Sequence, residues 1–447
     1  MPSSDFAGPS RFFGTDGIRG VANTELTADL ALALGRAAAE VLDRGPVLVG
    51  RDTRRSGDML SAAFQAGLHS AGIDTVDVNV LTSGGIAHLT AATGAAMGAV
   101  ISASHNPAED NGIKLLGTDG SKLSDAQENE IERLLRSGEQ GDRLPGVGVG
   151  MRADLRDAVE IYVDHLVGQA QMRFDGLPVV LDCANGAAHK AAPLLFERLG
   201  ARVELLAAEP DGFNINLRCG ATHPEFLSAR VDGRIGLAFD GDADRLIAVD
   251  EDGVPANGDV VMAVIARHWA ATNRLDPATV VTTVMANLGF RKAMQANGIE
   301  VVETQVGDRY VMEEMRARRA VLGGEQSGHV IFSELARTGD GLLTGMLLLE
   351  VVAATGHELR TLRKEAITEF PQVLLNVRVV DRDRLGGADA VWAAVRRAEE
   401  QLGYDGRILV RASGTEPLAR VMVEASDEAT ARAIAEDLAS VVSTELG

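Results

Sequence analysis

Cysteine is nearly missing: Cys183 and Cys219 are the only two in 447 residues. Two cysteines build neither a disulfide framework nor a structural zinc site, and such usage suits a reducing, cytoplasmic setting. Positive charge is scarce as well. Asp and Glu number 64 against 43 Lys and Arg, for a net charge of −21, and only five of those 43 are lysine. A chain this acidic has no general attraction to nucleic acid or to an anionic membrane surface. An anionic ligand must therefore be held by local Arg or Lys clusters. No apolar run is long enough to span a bilayer, because the stretch from Leu342 to Thr355 is short and carries Glu350. The opening residues MPSSDFAGPS lack the basic and apolar regions of a secretory signal. What is present, 46% hydrophobic and 24% charged residues, is the composition of an ordinary globular protein, and the length exceeds one hydrophobic core.

One pattern occurs three times. PVLVGRDTRRSGDMLSAAFQAGLHSAGIDTVDVNV starts at Pro46, LPVVLDCANGAAHKAAPLLFERLGARVELLA at Leu177, and ATVVTTVMANLGFRKAMQANGIEVVETQV at Ala278. Each reads as an apolar strand, a polar loop, an amphipathic helix, a glycine stop (Gly72, Gly200, Gly298) and a second strand. Alternating strands and helices predict crossover units and largely parallel sheets. Each unit is followed by a further strand and a polar, glycine-bearing or asparagine-bearing exit: GAVI then SASHNP, IGLAF then DGDADR, AVLG then GEQSGH. Ligands of open α/β sheets bind at the carboxyl ends of strands. The last eighty residues instead read strand, helix, strand, strand, helix. We expect three similar α/β domains with mixed or parallel sheets, at 1–153, 154–258 and 259–370. A smaller C-terminal α+β domain at 371–447 completes the set around a central cleft.

Three of the exits, and one hairpin, carry chemistry. DGDADR sets Asp240, Asp242 and Asp244 at every second residue, hard oxygen ligands for Mg²⁺ or Ca²⁺. It is no EF-hand, since Arg245 stands where that loop needs glycine and the flanks read as strands. Arg245 is a cation able to meet a phosphate beside the metal. In SASHNP, Ser104 lacks the strand–GxSxG–helix setting of a hydrolase serine. It reads either as a helix cap or, beside a metal site, as a phosphoryl carrier. RASGTEPLAR offers Ser413, Thr415, the backbone around Gly414, and Arg411 and Arg420 at its ends, a nest for a phosphate dianion rather than a plain hairpin. In GEQSGH, Glu325 and Ser327 can take sugar hydroxyls. Arg19 of FGTDGIRG can join a phosphate site. Lys114, one of the five lysines, follows Ser104 by ten residues.

In this order and together, SASHNP, DGDADR, GEQSGH and RASGTEP resemble the α-D-phosphohexomutase superfamily along essentially the whole chain. FGTDGIRG with GEQSGH is most similar to its bacterial phosphoglucosamine mutase branch. The resemblance implies an isomerase that interconverts glucosamine 6-phosphate and glucosamine 1-phosphate through a bisphosphosugar, for UDP-N-acetylglucosamine and cell-wall precursors. It implies Ser104 as the phosphoserine and one Mg²⁺ per chain between its phosphate and Asp240, Asp242 and Asp244. Lys114 and His329 match positions of proton transfer or substrate contact, and Glu325 and Ser327 match the sugar-binding loop. Arg411, Ser413, Gly414, Thr415 and Arg420 match the phosphate loop. A bisphosphosugar would act as activator. The partner is a small sugar phosphate; monomer and homodimer both stay open. A phosphoglucomutase or phosphomannomutase is the alternative within the class, and a non-catalytic acidic cation-binding protein the one outside it. Ala243 departs from the glycine of many relatives, so the metal loop must tolerate a Cβ there and is expected not to need a glycine-only conformation at that point.

Overall fold

The structure is a computed structural model that describes residues 12–14, 16–42, 45–138, 144–413 and 417–447. The chain divides into two compact units, one of 1–284 with 299–364 and one of 285–298 with 365–447.

The first unit holds three sheets. The first runs Ile18–Val21, Asp110–Leu116, Met97–Ile101, Val47–Arg51, Thr75–Val80, Arg152–Asp154. The second runs Pro255–Ala256, Leu246–Val249, Ile235–Phe239, Pro178–Asp182, Arg202–Leu206, and the third Glu300–Thr304, Thr279–Thr283, Leu322–Gly324, Val330–Phe332. The inner strands MGAVI, IGLAF and TVVTT are buried at every residue, on both faces, as parallel strands between helical layers must be. The glycine stops are left-handed as their helices require, with φ of 82° at Gly72, 96° at Gly200 and 70° at Gly298.

The sheets are mixed, and the departure from parallel order falls at the same step each time. Met97–Ile101, Ile235–Phe239 and Leu322–Gly324 lie parallel to the strand before them in the sheet, and each then turns back into an antiparallel neighbour. The connections are 102–109, 240–245 and 325–329, too short for the crossover that a parallel neighbour needs. The three motif loops are thus equivalent turns at the carboxyl ends of equivalent strands.

The second unit is a three-stranded antiparallel sheet, Gln372–Arg378, Leu418–Ala425, Gly406–Ala412, backed by helices Asp389–Leu402 and Glu428–Leu446. Helix Leu288–Ala296 groups with it: the Leu288 N–H donates to Glu424 Oε2 at 3.1 Å, and Arg407 reaches the Ala286 carbonyl at 2.8 Å. Among the described residues no single helix is long and apolar enough to cross a membrane.

In the first core, helices Ala28–Glu40 and Ser56–Ser70 cross at two glycines. A Cβ on Gly35 would stand 2.1 Å from the Phe64 carbonyl oxygen, and one on Gly67 2.2 Å from that of Leu32. Leu30, Leu34, Phe64 and Leu68 close over this crossing. Gly35→Ala should force the helices apart and destabilise the protein by about 1–3 kcal/mol, the usual effect of overpacking. Urea unfolding of parent and variant measures it; an unchanged midpoint would mean that the crossing can relax.

Candidate active site

Ser104 sits in the left-handed region, φ 51°, a conformation that costs an L-residue about 1–2 kcal/mol. The loop holds it there. Its N–H donates to Ser102 Oγ at 2.9 Å, and its carbonyl accepts from Arg54 and Asn216, each at 2.9 Å. A Cβ on Gly241 would lie 2.5 Å from that carbonyl, so the metal loop needs glycine there to approach. The hydroxyl itself donates to Asp240 Oδ2 at 2.5 Å, with His105 Nδ1 at 3.3 Å.

The DGDADR turn gathers its carboxylates. Asp240, Asp242 and Asp244 are buried, with ligand oxygens all within 4.8 Å of one another. Asp242 Oδ2 accepts from Ser83 Oγ at 2.7 Å and from Lys114 Nζ at 2.9 Å. Asp242 Oδ1 and Asp244 Oδ1 accept nothing, although buried. Burial, then Asp244 and Asp242, push the Asp240 carboxyl well above the usual range. Burial would raise Asp244 too, but Lys114, His329 and Arg245 outweigh it and hold that carboxyl well below. An all-oxygen set with spare acceptors and one carboxyl short of a counter-charge fits a hard divalent cation. Ala243 is left-handed, φ 56°, so the turn keeps a conformation that favours glycine and buries the Cβ within it.

Around this centre lies an alternating charge network. Lys114 Nζ contacts Asp242, Asp244 at 3.3 Å and Asp16 at 3.0 Å. Burial alone would weaken the Lys114 ammonium, but Asp16, Asp242 and Asp244 hold it firmly protonated. Asp16 also pairs with Arg19 and, at 2.8 Å, with Lys122, which reaches Asp308 at 2.7 Å. His329 lies between Asp244, 3.7 Å from Nδ1, and Asp308, 3.6 Å from Nε2. Against burial, Asp244, Asp308 and Glu325 push the ring up to about 9; the Gly339 N–H, 3.2 Å from Nε2, opposes the second proton. Glu325 accepts from the Gly307 N–H at 3.0 Å and from Ser327 Oγ at 3.4 Å. Two buried donors, Arg245 Nε and Arg19 Nε, have no acceptor. The structure therefore brings together Ser104, the three aspartates, Lys114, Arg245, His329 and Arg19, with Glu325 and Ser327 on the adjoining turn.

Of the RASGTEPLAR residues, Arg411 and Arg420 stand directly opposite across an antiparallel strand pair. Burial and the Arg420 charge lower the Arg411 pKa, a repulsion that a bound anion would relieve. Ser413 is buried, its N–H bonded to the Leu418 carbonyl at 2.8 Å. Gly414 and Thr415 lie outside the described residues.

Sequence reasoning missed Arg54, Asn216, Ser83, Asp16, Lys122 and Asp308. The GRDTRRSG exit after the first strand, as polar as the three singled out, was the available signal for Arg54; a lysine eight residues beyond Lys114 was the signal for Lys122.

Profiles of four domains of the phosphoglucomutase/phosphomannomutase family match the chain: alpha/beta/alpha domains I, II and III at 10–142, 160–253 and 257–370, and the C-terminal domain at 374–441. The chain is 52% identical over 427 residues to the phosphoglucosamine mutase of Moorella thermoacetica, covering 93% of this chain and 96% of that one. It is 50% identical over 445 residues to the phosphoglucosamine mutase of Mycolicibacterium vanbaalenii, covering 98% and 100%. Among solved structures, a phosphoglucomutase/phosphomannomutase family protein from Burkholderia thailandensis has a TM-score of 0.82 at 26% identity, over 97% of each chain. The Aspergillus fumigatus N-acetylphosphoglucosamine mutase solved with GlcNAc-6P and magnesium shares the fold, with a TM-score of 0.70 at 17% identity over 97% of this chain and 96% of that one.

Because Asp240 has its folded-state pKa raised, the metal-free fold binds that proton more tightly than the unfolded chain does. Its contribution is full below the unfolded carboxylate range and is lost as pH rises through the folded value. At neutral pH, metal-free Asp240→Asn should therefore unfold at higher urea than the metal-free parent. Mg²⁺ held by the three carboxylates would stabilise the parent by about 2.7 kcal/mol at one hundred times its Kd, and the variant by much less. Titrating urea from pH 5 to 8 with chelator or with Mg²⁺ measures both effects.

Proposed function

The chain belongs to the phosphoglucomutase/phosphomannomutase family, and we propose from that premise, from its phosphoglucosamine mutase relatives and from its own side chains how it works. It interconverts glucosamine 6-phosphate and glucosamine 1-phosphate, the step that feeds UDP-N-acetylglucosamine and cell-wall precursors. The observation that carries the reading is Ser104 Oγ, 2.5 Å from Asp240, in a site that leaves carboxylate oxygens without donors and guanidinium N–H groups without acceptors.

In this reading Ser104 carries the phosphoryl group. Its Oγ–P bond breaks as the free hydroxyl of the sugar monophosphate bonds to the same phosphorus. The bisphosphosugar then turns in the site, and its other phosphate returns to Oγ. Protons pass between the sugar hydroxyl, Ser104 Oγ, Lys114 and His329. Arg245 meets the equatorial oxygens of the transferring group, and Arg19 lies in the same network. Glu325 and Ser327 take sugar hydroxyls. Mg²⁺, held by Asp240, Asp242, Asp244 and the Ser104 phosphate, would supply charge neutralisation on the transferring group. A bisphosphosugar primes protein whose Ser104 is bare. Arg411, Ser413, Gly414, Thr415 and Arg420 hold the phosphate that is not reacting. We keep the division at 153, 258 and 370, and a cytoplasmic location.

Ser104→Ala should abolish turnover while circular dichroism stays unchanged; parent-like activity would end the phosphoserine reading. Substrate choice is tested by kcat/KM for glucosamine, glucose and mannose phosphates side by side, with glucosamine phosphate expected first. Arg411→Ala or Arg420→Ala should weaken both glucosamine monophosphates comparably, by about 1.5–3 kcal/mol for a charge-assisted contact. A large loss confined to one isomer would rule out a shared clamp.

A further inference from the structure

Arg54 is fully buried, and its five N–H donors each have one acceptor. Nε bonds Asp52 Oδ2 at 2.8 Å. One terminal nitrogen bonds the carbonyls of Ser104 at 2.9 Å and Asn106 at 2.8 Å; the other bonds those of Asp110 at 2.9 Å and Pro107. Four carbonyls of the serine loop are thus gathered on one rigid fork. Asp52 closes the circuit: its Oδ2 accepts from Ser102 Oγ at 2.6 Å, and Ser102 Oγ accepts the Ser104 N–H. Both sides of the Ser104 backbone therefore lead to the Asp52–Arg54 pair.

A second arm comes from the neighbouring sheet's chain. Asn216 Nδ2 bonds the same two carbonyls, Ser104 at 2.9 Å and Asn106 at 3.0 Å. The Arg54 turn is itself tied to that region, Thr53 Oγ1 to the Asn185 carbonyl at 2.6 Å and the Arg55 N–H to the Gly212 carbonyl at 3.0 Å. Neither Arg54 nor Asn216 reaches the Ser104 hydroxyl, so neither touches the reacting atoms in this arrangement.

We propose that Arg54 and Asn216 are positioning residues that lock the Ser104–Asn106 peptides and so aim the Ser104 oxygen at the Asp240 turn. The clamp turns the loop carbonyls onto cationic and amide donors, away from the phosphoryl group, where their partial negative charge would repel it. It also keeps Ser104 left-handed when the side chain gains and loses a dianion in every cycle. The proposal rests on Ser104 being the phosphoryl carrier.

The test uses the full chain, Mg²⁺ and glucose 1,6-bisphosphate as the phosphorylating probe, with intact mass reporting phosphate on Ser104. Asn216→Ala removes two bonds and no charge; Arg54→Lys keeps the charge but offers three donors for five acceptors. Phosphorylated protein is mixed with glucosamine 6-phosphate, and single-turnover transfer is followed by quenched flow. Both variants should transfer more slowly per phosphorylated serine, on the order of 10- to 100-fold, with KM little changed. The double variant should lose less than the product of the single losses, since both arms hold the same carbonyls. Folded Asn216→Ala that transfers at the parent rate overturns the proposal, as does Arg54→Lys whose whole loss is a smaller folded fraction. Failure of the underlying reading looks different: the parent would then take no phosphate on Ser104, or Ser104→Ala would stay active.

Discussion

Three carboxylates held out of water within 4.8 Å of one another repel, and the arrangement around them follows from that repulsion. Two like charges 4 Å apart cost about 4 kcal/mol at an effective dielectric constant of about 20. Part of the answer is covalent sequence: Lys114 pairs with Asp242 and Asp244, and Arg245 and His329 stand close to Asp244. Part is protonation, since Asp240 keeps its proton more readily than an ordinary carboxyl. The remainder is left for a ligand, and the oxygens without donors mark where it enters. A cation bound among these carboxylates would relieve their repulsion and stabilise the fold.

Topology brings the charges to one place without long-range design. In each sheet of the first unit the last parallel strand turns straight back, and the turn carries candidate site residues. A turn of five to eight residues has its backbone largely determined by its flanking strands, so side chains on it are aimed more firmly than on a free loop. Three such turns meet: Ser104 bonds Asp240, and the Leu246 N–H bonds the Gly328 carbonyl at 3.0 Å. The same fold unit, used three times, thus delivers Ser104, the three aspartates, and Glu325 with Ser327 to one region.

What could be read from the sequence is what local patterns encode. Strand–loop–helix–glycine units and the every-second-residue aspartates of DGDADR depend on neighbours a few positions away, and the sheets and the carboxylate cluster follow. The antiparallel returns were less visible, because a buried strand's residue pattern reads the same in either direction. For Arg54 the polar GRDTRRSG exit marks the place but not the role. Arg54 is one of 38 arginines, and only the folded loop 104–110 reveals that its five donors are all used. Asn216 and Lys122 likewise act on partners more than a hundred residues away, Asn216 on Ser104 and Lys122 on Asp16 and Asp308.

The two kinds of cation divide the work by geometry. Arg54 must satisfy several carbonyls at fixed angles, which a planar guanidinium with five donors does and an ammonium cannot. Lys114 and Lys122 face the opposite demand: each is a compact charge shared among carboxylates that converge from different segments, Asp16, Asp242 and Asp244 for one, Asp16 and Asp308 for the other. A flexible stem with three freely rotating donors adapts to such convergence, whereas a rigid fork would select one carboxylate and strain the rest. In a chain that otherwise uses arginine almost throughout, two of five lysines in one network mark the positions where point charge, not directional bonding, is the requirement.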